Sequence, residues 1–254
     1  MKKKECEKGR REFLKGSLAV GAGLLAGITG STPKPAEGAT NYSKEDFKMA
    51  EWKIDGKPGL VVMHMQSSIL GDELKGNPYY NEFNKAIRES GMIDRTRELL
   101  KAFRDRNLPV VFVNAMMGMG GLQRKLPAYG KLFDMIRANI STLDNYETAS
   151  KVIPELGRRP EEPVLINWLL GAFSYSGLDT WLKVNGVNTV VLAGFATHSV
   201  VFNALIQACD LWYSVVAPRD AMTTWLKPLG ETMLNELFPF YSLVTTTKDV
   251  IAHL

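Results

Sequence analysis

From Pro58 onward the chain alternates between two kinds of segment, and this alternation narrows the fold more than any other feature. Apolar runs of four to seven residues lie at Gly59–Met65, Pro109–Asn114, Pro163–Asn167, Thr189–Ala193, Ser214–Ala217 and Ser242–Thr245. Stretches with helical spacing separate several of them, at Ile93–Arg106, Leu178–Asn185, His198–Leu211 and Glu231–Leu237, and Asn185-Gly186 reads as a helix stop. The apolar runs are continuous rather than alternating, as expected for strands covered on both faces. Strand–helix alternation of this kind predicts an α/β fold, a Rossmann-like parallel sheet with right-handed crossovers and helices on both sides. A chain of 254 residues, 45% hydrophobic and 23% charged, is long enough to bury one sizeable core of this type.

In an open parallel sheet, ligands bind beyond the carboxyl ends of the strands. His64 closes the first apolar run, Asn167 the third, and the turn at Gly194-Phe195-Ala196 the fourth. These positions are expected to share one crevice.

The first 39 residues have a different character. Lys2, Lys3 and Lys4 open the chain, Arg10-Arg11-Glu12-Phe13-Leu14-Lys15 follows, and a Gly/Ala-rich apolar run extends to about Gly30. A charged head, a modest apolar middle and small residues near the end describe a secretory signal, and the arginine pair resembles a twin-arginine export signal. The run is shorter than the roughly 20 residues of a membrane-spanning helix, so no transmembrane anchor is expected after cleavage. The expected organisation is a signal peptide over 1–39, a polar linker or surface arm over 40–57 and one domain over 58–254. The expected location is the periplasm or the cell exterior.

Charge follows the same division. The whole chain carries a formal +4, but residues 1–39 hold eight Lys/Arg and four Asp/Glu, so the remainder has 23 of each. No basic stripe with interleaved aromatics remains, and no nucleic-acid partner is expected. No phosphate-loop lysine and no G-x-G-x-x-G at a strand–helix turn is present, so no nucleotide cofactor is expected. Gly118, Gly120 and Gly121, among Met116, Met117 and Met119, predict a flexible loop after the second strand. Cys209 is the one cysteine past the signal and cannot form an internal disulfide.

The segment Gly194-Phe195-Ala196-Thr197-His198-Ser199-Val200-Val201 resembles the nucleophile turn of the isochorismatase-like cysteine hydrolases. Val152-Ile153-Pro154-Glu155-Leu156, Gly171-Ala172-Phe173 with Ser176, Asp220-Ala221 and Thr245-Thr246-Thr247 match that family in the same order. The resemblance implies an isochorismatase-like hydrolase fold over residues 58–254. It also implies a cysteine nucleophile at the position of Val200, an aspartate at His64 and a lysine at Asn167. A peptide near Phe195-Ala196 is often cis in such proteins. None of the three catalytic residue types is present. The thiolate that attacks a carbonyl, the carboxylate that takes its proton and the ammonium that supports the charge are all replaced.

Cys209 does not substitute for the missing thiol. It stands nine residues past Val200, about 13 Å along a helix and on nearly the opposite face. His64, Trp168, Phe173, Phe195, Ala196 and His198 are the candidate lining of a binding crevice. Two imidazoles without further spaced ligands do not make a zinc site, so no metal is expected. The leading expectation is a non-catalytic binding or assembly subunit, as a homo-oligomer or in a heteromeric complex, with a small-molecule ligand in reach of the crevice. The alternative is a hydrolase-like enzyme of altered chemistry, with His64 and His198 as acid and base.

Overall fold

All six predicted strands form in the computed structural model, which describes residues 52–70, 78–115, 127–139, 149–168 and 170–254. Residues 1–51, which include the expected signal segment, and residues 116–126, which include the expected glycine loop, lie outside the described residues. In chain order the elements are β1 (Pro58–Met63), α1 (Ser67–Leu70), α2 (Pro78–Ser90), α3 (Met92–Asp105), β2 (Val110–Ala115) and α4 (Lys131–Asn139). There follow β3 (Val164–Asn167), α5 (Leu178–Val184), β4 (Thr189–Phe195), α6 (Phe202–Asp210) and β5 (Ser214–Pro218). The chain ends with β6 (Met222–Thr223), α7 (Lys227–Thr232), β7 (Leu243–Thr245) and α8 (Thr247–His253).

The sheet runs β3-β2-β1-β4-β5-β7, with β6 paired to the end of β4, and every pairing is parallel. The strand order reverses at β1, so the carboxyl ends of β1 and β4 flank a topological switch point. Register is tight there: Met63 pairs with Gly194, and His64 N–H donates to Val113 O at 2.8 Å.

The period-2 geometry of the strands sends their side chains into two apolar layers. Val61, Met63, Val113 and Leu192 face the layer shared with Leu182 and Leu205 of α5 and α6. Leu60, Val62, Phe112 and Val191 face the layer of Leu99, Leu100 and Phe103 from α3. Each fully buried Leu, Val or Phe contributes roughly 1.5–3 kcal/mol, so the sheet and its covering helices carry most of the stabilisation.

Several helices had no counterpart in the sequence reading. α2 buries Ala86 and Ile87, with Phe83 packed against the same layer. α8 begins with Thr246 as N-cap, whose side chain accepts from Asp249 N–H, and Asp249 accepts in turn from the Thr245 and Thr246 hydroxyls. The expected helix from His198 begins with a π-helical turn, Thr197–Val201, before α6. Among the described residues no helix is long and apolar enough to cross a membrane.

Candidate functional site: a neutral His–Asn pair at the switch point

β1 ends at Met63, and the next residue, His64, takes a left-handed φ of 54°. A non-glycine residue in that region is strained, and such strain gathers at ligand sites and tight turns. His64 Nε2–H donates to Asn167 Oδ1 at 3.1 Å, with His64 4% exposed and Asn167 fully buried. Burial holds the imidazole neutral, lowering its pKa from 6.5 to about 4, against the smaller opposing effect of the Asn167 bond. The second amide hydrogen-bonding group, Asn167 Nδ2, has no partner.

Gln66 fixes the frame around this pair, and the sequence reading did not single it out. Its amide bonds Ala115 both ways, accepting from N–H at 2.7 Å and donating to the carbonyl at 2.9 Å. The same Nε2 reaches Ser68 Oγ and Ala149 O. One buried side chain thus ties the end of β2 and the segment before Ser150 to the end of β1. An amide terminating an apolar strand run was the available signal.

The turn after β4 is equally constrained. Gly194 has φ 138°, and a Cβ there would collide with the Met63 backbone, so only glycine lets β4 lie this close to β1. The Phe195–Ala196 peptide is cis. Val200, in the first helical turn, is fully buried in the same apolar layer as Met63, Leu192 and Ala204.

The remaining candidates separate into groups. Phe195 and His198 belong to an aromatic cluster with Trp225 and Phe83. The ring separations are 5.6 Å for Phe195–Trp225, 4.6 Å for His198–Trp225 and 5.4 Å for Phe83–Phe195. His198 Nδ1 lies 2.7 Å from Thr224 Oγ1, and burial lowers its pKa as well. Ala196 is buried beside Phe195, while Trp168 is 39% exposed just past β3. Phe173 packs with Tyr213 in the other layer, its N–H donating to Gln207 Oε1. No hydrogen bond or ring contact among the described residues joins the His64–Asn167 pair to the His198–Trp225 cluster. Trp225 and Phe83 were invisible as site candidates because each becomes significant only through ring contacts far apart in sequence.

The one cysteine of the domain, Cys209, sits late in α6, three residues before Trp212 and the turn into β5. That places it toward the amino-terminal edge of the sheet, away from His64. Its Sγ–H donates to Tyr241 O at 3.3 Å, and burial, helped by Asp210, raises its thiol pKa. Such a thiol is a poor nucleophile. His253 also has a structural place, stacked on Trp52 at 3.9 Å with Nδ1 bonded to Asp249 O. Among the described residues no three or more His, Cys, Asp or Glu gather where they could hold a metal ion.

The isochorismatase domain model matches residues 58–249. The chain belongs to the isochorismatase family. YwoC, an isochorismatase family protein of Bacillus subtilis, is 25% identical over 199 residues, covering 77% of this chain and 93% of its own. An isochorismatase family protein from Burkholderia thailandensis is 27% identical and superposes with a TM-score of 0.62, over 80% of this chain and 97% of that one. A cysteine hydrolase from Pseudomonas syringae pv. phaseolicola has a TM-score of 0.63 at 18% identity, over 80% of this chain and 95% of its own. At that identity the likeness concerns the fold alone. The parallel sheet of this chain is therefore the isochorismatase-like hydrolase fold.

Proposed function

We propose that this isochorismatase-family protein is exported, carries out no thiol-dependent hydrolysis, and works as a non-catalytic binding or assembly subunit. The observation that carries this reading is the chemistry at the switch point. The side chain at position 200 is an alkyl group sunk in the core, and the pair at 64 and 167 is uncharged and hydrogen-bonded. None of these three side chains supplies a thiolate, and a histidine held neutral to about pH 4 is a weak base. The rival reading, acid/base chemistry by His64 and His198, has one observation in its favour: His198 is half-buried rather than sealed.

The test is turnover of nicotinamide and similar small amides by the mature chain, with and without iodoacetamide, followed by intact-mass analysis. No turnover and no acyl adduct are expected. Turnover abolished by alkylating Cys209, or a stable acyl adduct on it, overturns the reading. Thiol-independent turnover lost in His198→Ala would support the rival. Export rests on Arg10 and Arg11. Fractionation of an Arg10→Lys, Arg11→Lys double variant should find the protein retained inside, and unchanged delivery would refute the twin-arginine route.

A further inference from the structure

β3 is the outermost strand on its side of the sheet, and among the described residues nothing pairs with its outer edge. Pro163 O accepts from Phe112 N–H at 3.0 Å, which sets the phase of the ladder. Pro163, Leu165 and Asn167 turn their backbone groups toward β2, so those of Val164 and Ile166 point outward. No described residue hydrogen-bonds to these outward groups. The side chains of Val164 and Ile166 also form one wall of a groove of about 520 Å³, whose other wall is Ser150–Pro154 with Gly157 and Arg158.

The rim of the groove is basic. Lys151 and Arg158 are exposed and line it, and neither side chain has a carboxylate partner among the described residues. The nearby acids are spoken for: Glu162 is held by Arg104 at 2.6 and 2.8 Å, and Glu155 by Arg88. Arg158 spends its guanidinium on the carbonyls of Arg159 and Glu162, which fixes the turn and keeps its charge unneutralised. Countercharge in this stretch sits on the Arg159 side, where Glu162 Oε2 accepts from Arg159 N–H at 2.8 Å and Asp105 also feels the Arg159 charge, while Glu161 is exposed next to Glu162.

We propose that the β3 edge docks an extended acidic segment of a partner protein by strand addition. Main-chain bonds to Val164 and Ile166 supply the pairing, alternate side chains enter the groove, and carboxylates meet Lys151 and Arg158. Charge decides between this occupant and a second copy of the chain. Edge-to-edge pairing of two β3 strands would bring a second set of the same cations to the groove, and unpaired Lys and Arg at a strand edge oppose such pairing. The four residues of β3 span about 13 Å, so the occupant contributes a short strand. This gives the assembly reading above a surface, but it does not depend on the crevice being inert.

The probe is a fluorescein-labelled peptide of alternating Val and Glu, about eight residues long to exceed the 13 Å of edge, titrated into the mature chain at low salt. Saturable binding is expected, with slowed amide exchange at Val164 and Ile166. Methylating alternate peptide nitrogens should weaken binding about tenfold, the loss of two backbone bonds. Lys151→Glu, whose side chain holds nothing in place, should weaken it about fivefold, an effect that fades in high salt. Equal binding of the Val/Lys counterpart, indifference to N-methylation, or protection at other amides would each overturn the proposal. So would a concentration-dependent dimer that excludes the peptide, since the edge would then be covered by a second copy. Absent peptide binding in a chain without turnover defeats this inference alone; peptide binding together with thiol-dependent turnover defeats the functional reading alone.

Discussion

Charges introduced at the His64–Asn167 pair should be costly singly and tolerable together. Asn167→Lys places an ammonium at a fully buried position opposite an imidazole that burial keeps neutral. An unpaired buried charge of this kind costs about 3–5 kcal/mol, unless the lysine gives up its proton. His64→Asp should cost less, because Asn167 Nδ2, which has no partner, can donate to the new carboxylate. A hydrogen bond to a charged group returns about 1.5–3 kcal/mol. In the double variant the two charges would stand about 4 Å apart, worth roughly 4 kcal/mol at an effective dielectric of 20. The double variant should therefore be several kcal/mol more stable than the sum of the singles implies. Urea unfolding of all four proteins at pH 7 closes the cycle. A coupling under about 1 kcal/mol would mean that the pair is wet or apart, and the description of a dry, neutral site would fall.

Two further outcomes follow from the same region. His64 binds its proton more weakly folded than unfolded, so its stabilisation is complete above pH 6.5 and is lost as pH falls toward about 4. The loss amounts to about 3 kcal/mol; His64→Gln should remove most of that slope in denaturation curves, leaving the same-signed effect of His198, and an unchanged slope would refute the burial. Gly194→Ala should destabilise by about 3–5 kcal/mol through its collision with Met63 and its positive φ, and a change under 1 kcal/mol in thermal unfolding would contradict the close β1–β4 approach.

The sheet was legible in the sequence because its strands are buried on both faces, which leaves continuous apolar runs such as Thr189–Ala193. β6, two residues long, carries no period and could not be seen. α2 did carry a signal, Phe83 with Ala86 and Ile87 at helical spacing, but its polar residues masked it. The capped start of α8 was present as Thr246 with Asp249 three positions on. At the site, strand ends alone placed His64 and Asn167 together, and the structure joins them directly. What could not be read were links between distant segments: the Gln66–Ala115 bonds, the Trp225 ring beside His198, and the Arg104–Glu162 pair across 58 residues. These depend on how the crossovers return to the sheet, which no local pattern encodes.

Set against the charged residues that the family resemblance implies for positions 64 and 167, the observed pair has a physical logic of its own. Replacing only the lysine would leave a carboxylate buried without its counterion, and replacing only the aspartate would strand an ammonium; either costs several kcal/mol. Exchanging both for histidine and asparagine keeps one hydrogen bond between the same strands and removes both desolvation penalties. Valine at position 200 agrees with an uncharged pair, since an alkyl group needs no activation and gains by burial. The three residues are thus consistent with one another as an uncharged set at the strand ends. That consistency is why restoring a thiol alone, as in Val200→Cys, should yield a stable protein with an unreactive cysteine: the groups that would lower its pKa are missing, and the burial that remains would raise it.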